Sequence, residues 1–175
     1  MDVHIRLARK SDLVAYTDLL QRTYTAAFPN PKIGLTKACF SKKVFATDDT
    51  QAYLKSNLKQ STLQKTWLAV LGKKLVGAIT IEKKEKEYEI RGFYVAPEYQ
   101  GKGIGKRLWQ RARGFAHGKP IVLDIYAHNK KTIAVYKKWG FVIDRKKKPT
   151  WSHWPEWPKD VRAKRTYMRF ELNVS

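Results

Sequence analysis

Gln100-Gly101-Lys102-Gly103-Ile104-Gly105-Lys106 stands where the pattern of the chain turns from strand to helix. Before it, Tyr88 to Val95 reads as a strand and stops at Ala96-Pro97, because proline cannot donate to a ladder. After it, Ile104, Leu108, Ala112 and Phe115 recur at helical spacing until Gly118-Lys119-Pro120. A glycine-rich junction of this kind aims free N–H groups and the positive end of a helix at an anion. Glycine lets main chain approach a phosphate with no Cβ in the way, and Lys102, Lys106 and Arg107 add charge, so a diphosphate is a suitable ligand. Two common phosphate loops are disfavoured. A dinucleotide fingerprint needs Gly-x-Gly-x-x-Gly, but the third glycine comes one residue early and the preceding strands read as antiparallel hairpins. A Walker loop needs Ser or Thr after Gly-Lys, where Arg107 stands, and a glycine where Gln100 stands.

Upstream, Thr66 to Val70 and Leu75 to Ile81 flank Gly72-Lys73-Lys74, which predicts a hairpin. Val3 to Leu7 alternates like a strand. Ser11 or Asp12 is placed to cap a helix with apolar positions Leu13, Tyr16, Leu19, Leu20 and Tyr24. A polar helix follows from about Thr50 through Leu58, with Tyr53, Leu54 and Leu58 on its buried side. Downstream, Ile121 to Tyr126 is a strand, Lys130 to Trp139 a short helix closed by Gly140, and Phe141 to Ile143 a further strand; the last strand runs Thr166 to Leu172. A hairpin meander followed by β-α-β-α-β-β predicts an α/β or α+β domain with one central mixed sheet.

The chain has 175 residues with 43% apolar content, which predicts one domain over residues 1–175. Thirty-six Lys and Arg against 15 Asp and Glu give a formal charge of +21, so the surface attracts polyanions such as nucleotide phosphates, nucleic acid or the ribosome. The opening residues lack the pattern of a secretory signal and no long apolar run occurs, so a soluble cytoplasmic protein, with no membrane partner, is expected, as monomer or homodimer. A lone Cys39 supports neither an internal disulfide nor a zinc cluster, and His4, His117, His128 and His153 are scattered without ligand spacing, so no metal is expected.

Gln100-x-x-Gly103-x-Gly105, preceded by Phe93-Tyr94-Val95-Ala96-Pro97, is similar to the signature of the GNAT superfamily of N-acetyltransferases. Asn129-x-x-x-x-Ala134-x-Tyr136-x-x-x-Gly140-Phe141 resembles its second motif, at the expected distance downstream. The resemblance implies the GNAT fold, a mixed, mostly antiparallel sheet of about six to seven strands flanked by about four helices. It implies acetyl-CoA as donor. Gln100, Gly101, Lys102, Gly103, Ile104, Gly105 and Lys106 would hold its pyrophosphate, and the backbone of Phe93, Tyr94 and Val95 would pair with the pantetheine arm through a bulge and a splay toward the Ile121 to Tyr126 strand. Val95 N–H would face the thioester carbonyl. Asn129 is both a helix cap and a pantetheine contact, while Lys137 and Lys138 either reach CoA phosphates or coat the solvent face.

An amine must be neutral to attack, which requires a base or a proton-carrying water chain. Glu89 occupies the position of the glutamate base of histone-type members; other members use a water relay. Tyr136 matches the position of the acid: a phenol of pKa about 10 stays protonated at neutral pH and can give its proton to a thiolate of pKa about 8.5. In the resembled family the acceptor is chosen by the first helix with its following loop and by the loop joining the last two strands. That assigns Tyr24, Phe28, Trp151 and Trp154 to acceptor binding. The three tryptophans of residues 150–158 either close over a substrate or fold down as a cluster, and their faces suit a cationic amine with Glu156 and Asp160 as partners. Residues 28–54 resemble the branch that includes bacterial spermine/spermidine acetyltransferases, although a polycation is repelled at long range by so basic a protein. The acceptor class therefore stays open among small amines, polyamines and peptide or protein amines. The alternative is a basic nucleic-acid- or ribosome-associated binding module with a vestigial acyl-CoA site.

Overall fold

The structure, a computed structural model, describes residues 2–171. Gly72, at φ +58°, and Lys73 make the tight connection from β2 (Gln64–Leu71) to β3 (Lys74–Lys83), a left-handed position that glycine takes without Cβ strain. β1 (Val3–Leu7) is antiparallel to β2, and β4 (Tyr88–Val95) is antiparallel to β3. β5 (Ile121–Tyr126) runs parallel to β4, and β8 (Ala163–Phe170) antiparallel to β5. Two short strands share the outer edge of β8: β6 (Val142–Ile143) near its end and β7 (Thr150–Ser152) at its start. The sheet order is β1-β2-β3-β4-β5-β8-β6, with β7 beside β8.

Helices α1 (Leu13–Ala27), α2 (Lys42–Phe45) and α3 (Asp48–Asn57) accompany one face, and α4 (Ile104–Phe115) and α5 (Lys130–Lys138) the other. β3 is buried on both sides, as befits a central strand: Val76, Ile79 and Ile81 join the core with Leu108, Trp109 and Leu123, while Leu75 and Ala78 join the core with Leu19, Leu20 and Phe40. Among the described residues no helix is long and apolar enough to cross a membrane.

The expected mixed, mostly antiparallel sheet is present, with eight strands and five α-helices where about six to seven and about four were expected. The additions are β7 and the single turn α2, both too short to show a period in sequence. The last strand begins at Ala163, not Thr166, because Ala163 to Arg165 pair with β7; its expected end, Leu172, lies outside the described residues. Asp12 does not cap α1 through its side chain: the carboxylate accepts two bonds from Arg6, at 2.7 and 2.8 Å, and one from Arg9 N–H at 2.7 Å. Tyr53, expected on the buried side of its helix, is 40% exposed, while Leu54 and Leu58 are buried as expected.

Candidate active site

Between β4 and β5 the sheet opens. Parallel pairing covers Tyr88 with Ile121, Glu89 with Val122 and Ile90 with Leu123; beyond this the two strands separate. At the same place β4 gains an extra residue, since Thr80 faces Gly92 and Ile81 faces Ile90, leaving Arg91 as a bulge. Ala96 N–H donates to the Val76 carbonyl at 2.9 Å, on the β3 side. Because N–H and C=O directions alternate along a strand, those of Phe93 and Val95 point into the opening. Gln100 Nε2 donates to the Val95 carbonyl from that side, at 3.1 Å. Gly92 is required locally: a Cβ there would lie 2.6 Å from the ring of Tyr94, which folds back over it and places its hydroxyl 3.0 Å from that of Tyr24.

The glycine loop continues this opening. Gly101 and Gly103 have φ of +75° and +79°, and a Cβ on either would meet nothing within 4 Å, so they serve the backbone angle and leave open space in front. α4 starts at Ile104 with its first N–H groups free of helical partners. Ile104 contributes main chain only, since its side chain is buried in the core. Gly105 packs: a Cβ would approach Trp139 to 3.3 Å. Lys106 lines the cleft, whereas Lys102 lies over the Tyr99 ring at 5.2 Å and Lys138 is exposed, neither in the cleft wall; Lys131, which the sequence reading did not single out, lines the cleft. An open turn before a helix, continued by unpaired strand backbone, fits a diphosphate joined to an extended amide-bearing arm, which is the shape of coenzyme A.

The cleft encloses about 1450 Å³. Asn129 caps α5, accepting from Thr132 N–H at 3.3 Å, and lines the cleft. The Tyr136 ring stands among Phe93, Trp139 and Phe141, with centroids 6.2, 6.0 and 5.4 Å away. Burial pushes its phenol well above the ordinary value, and Asp124 pushes it further. Glu89 also lines the cleft, but its carboxylate is 39% exposed and 3.5 Å from Lys84. It precedes Val95 by six positions, one of them the bulge; their partners on β3, Glu82 and Gly77, are five apart, about 17 Å at about 3.3 Å per residue.

The far end of the cleft is aromatic. Tyr24 packs against Phe28 (4.6 Å), Phe45 (5.4 Å) and Trp154 (5.7 Å), and Phe28 against Tyr126 (5.0 Å). The three tryptophans divide: Trp157 is 3% exposed and donates through Nε1 to the Cys39 carbonyl at 3.1 Å, Trp154 stacks on it at 5.5 Å and faces the cleft, and Trp151 on β7 is 62% exposed and outside the cleft wall. Trp151 is thus not brought to the acceptor end, because its strand pairs with the outer edge of β8. Sequence reasoning passed over Asp49, Arg91, Asp124, Tyr126 and Arg165 in this wall. Arg91 is held by the Tyr53 ring (5.2 Å), Gln64 (3.0 Å) and Glu82 (3.7 Å); Arg165 is ion-paired with Asp124 and lies over the Tyr126 ring (5.0 Å). Asp49 and Glu156 line the cleft with no ion-pair partner among the described residues, and Asp49 stands where Asp160 was expected.

Solved structures share this architecture. The ribosomal-protein-S18-alanine N-acetyltransferase of Escherichia coli superposes at a TM-score of 0.67 and 21% identity, covering 99% of this chain and 96% of that one. The PaiA N-acetyltransferase of Thermoplasma acidophilum, solved in complex with coenzyme A, gives 0.70 and 18%, covering 98% and 99%. A GCN5-related N-acetyltransferase from Rhodopseudomonas palustris gives 0.72 and 16%, covering 98% and 97%. In sequence, 55 residues are 40% identical to the N-alpha-acetyltransferase RimI of Mycobacterium tuberculosis, a match spanning 31% of this chain and 35% of that protein. The acetyltransferase (GNAT) family model matches residues 17–141, the span from α1 to the end of the second motif that holds the glycine loop, the opened β4 edge, Asn129 and Tyr136. By that match, the chain belongs to the GNAT acetyltransferase family.

Proposed function

We propose that this chain moves the acetyl group of acetyl-CoA to a primary amine by direct attack. The carrying observation is the continuous run from the glycine loop through the opened β4 edge to Tyr136. Acetyl-CoA supplies an activated thioester; the rest falls to the chain. Main-chain N–H groups from Gly101 to Lys106, with Lys106 and Lys131, bind the diphosphate. Phe93 and Val95 bind the arm as a strand edge does and fix the carbonyl near Val95 N–H. As the N–C bond forms and the C–S bond breaks, Tyr136 gives its proton to the departing sulfur. The amine proton leaves by water: a carboxylate about 17 Å along the strand from Val95 cannot touch the attacking nitrogen, so Glu89 is the far end of a relay.

The acceptor is a cationic amine bearing a second positive group. The wall of Tyr24, Phe28, Phe45, Tyr126 and Trp154 offers ring faces, and Asp49 and Glu156 are carboxylates with no ion-pair partner among the described residues, whereas both arginines of that wall are committed to Glu82 and Asp124. This local reversal of sign overcomes the repulsion of the +21 surface inside a Debye length of about 8 Å. A thiol-release assay with acetyl-CoA against butylamine, spermidine, an aminoglycoside and basic peptides tests both levels. Turnover of diamines over butylamine, with KM raised in Asp49→Asn and Glu156→Gln, is the expected result. Equal use of butylamine rejects the second charge, and no acetylation of any amine rejects the transferase reading.

A further inference from the structure

We propose that the outward face of α4, continued by the end of α5, docks the phosphate backbone of a nucleic acid. α4 buries Ile104, Leu108, Trp109 and Ala112 and exposes Lys106, Arg107, Gln110, Arg111, Arg113 and Gly114. α5 exposes Lys130, Lys131, Lys137 and Lys138. The two helices adjoin, with Trp109 and Trp139 stacked at 6.4 Å. From Lys102 to Lys148 every exposed charged side chain is a cation. The two acids in that span face inward arginines, Asp124 with Arg165 and Asp144 with Arg169. Among the described residues no ion pair involves a cation of α4 or α5, although the opposite face pairs its charges, as in Arg6–Asp12, Arg22–Asp18 and Lys84–Glu82.

Unneutralised like charges held side by side on a helix repel, and a fold keeps them at a cost that an anionic partner removes. The donor does not account for them: Lys106 and Lys131 line the cleft, but Arg107, Arg111, Arg113, Lys137 and Lys138 do not. The array is also linear. Arg107 and Arg111 are one turn apart, about 6 Å along the axis, and guanidinium groups bind phosphate oxygens two at a time. An anionic membrane fits less well, because a helix that lies in an interface inserts apolar side chains, and the outward face of α4 exposes none, with only Ala134 and Val135 exposed on α5. Docking here leaves the acceptor end of the cleft free, so binding and transfer are compatible and the proposal stands apart from the acceptor assignment.

Fluorescence anisotropy of a labelled 20-nucleotide RNA, single-stranded and as a duplex, measured from 50 to 300 mM KCl with saturating coenzyme A, tests this. The expected result is binding that persists with the donor site filled and weakens steeply with salt, the log–log slope reporting about 0.7 phosphates' worth per contact for the single strand and about 0.9 for the duplex. The double variant Gln110→Glu/Arg111→Glu should bind about tenfold more weakly, with a shallower slope, and acetylate a free amine at the unaltered rate. No binding at 50 mM KCl, displacement of the RNA by coenzyme A, an undiminished affinity in the folded double variant, or stronger competition from phosphatidylserine vesicles than from unlabelled RNA would each overturn the proposal.

Discussion

Gln100 Nε2 donates to the carbonyl of Val95 at 3.1 Å, tying the start of the glycine loop to the end of the opened strand. In the proposed donor site, one side chain therefore sets the distance between the phosphate end and the carbonyl end. Removing it in Gln100→Ala costs about 1 kcal/mol, the net worth of one neutral hydrogen bond, and should raise KM for acetyl-CoA about fivefold while Tm in the absence of donor changes little. Steady-state kinetics with varied donor check this; an unchanged KM would mean that the loop is held by other means.

Gly103 separates backbone freedom from packing. Its φ of +79° disfavours any side chain by about 1–2 kcal/mol, yet a Cβ would meet nothing, so Gly103→Val should fold with a modest loss of stability. The side chain would stand in the space in front of the N–H groups: acetyl-CoA should raise the Tm of the parent protein and leave that of the variant unchanged. A retained shift would place the diphosphate elsewhere.

For Tyr136, burial and Asp124 both raise the phenol, so it holds its proton beyond the neutral range and into strong alkali. Its protonation cannot produce an alkaline fall in rate near pH 8 or 9; kcat/KM should rise with pH as the acceptor loses its proton and then stay level. Tyr136→Phe should lower kcat by about 10²-fold or more, the scale of general acid catalysis, with donor binding kept by calorimetry. An alkaline limb lost in Tyr136→Phe would contradict the assignment.

Acid stability turns on a cluster across the β5–β8 side of the sheet. Burial alone would raise Glu87, but Lys147 at 2.7 Å and Arg169 at 2.6 Å hold it below its ordinary value; burial likewise opposes Asp144, and Lys146 N–H with Arg169 holds it down. Carboxylates depressed on folding add stability that is complete above their unfolded pKa and disappears as pH falls through the lower folded value. Tm should therefore drop below about pH 4, and Arg169→Met should be less stable at pH 7 yet flatter over that acid window. A parallel pH profile for variant and parent would dismiss this cluster as the source.

Much of the fold was legible because its signals are local. β4 and β5 were readable to the residue from alternation and flanking turns, and the glycine loop from its place between strand and helix. What escaped was set by pairing at long range. β7 exists because Thr150 to Ser152 find β8, which no property of three residues announces. Arg91 and Arg165 carry no distinguishing local signal in so basic a chain, and only the bulge at β4 and the partner Asp124 bring them into the cleft. Asp49 sits in the first turn of α3, an ordinary place for a carboxylate, and only the packing of α1 and α3 turns that end toward the cleft.

Trp157 gives the loop between β7 and β8 an unusual character. Its indole is a root driven into the interior against Phe40 and Tyr126, while Trp154, Pro155 and Glu156, one to three places away, form the lip of the opening. Trp154 is stacked on the root, so the part of the lip that can be rewritten in shape and sign while the root keeps the loop in place is Pro155 and Glu156. If this loop selects the amine as proposed, a lineage carrying the arrangement can change that choice by exchanging one or two side chains, without remaking the scaffold.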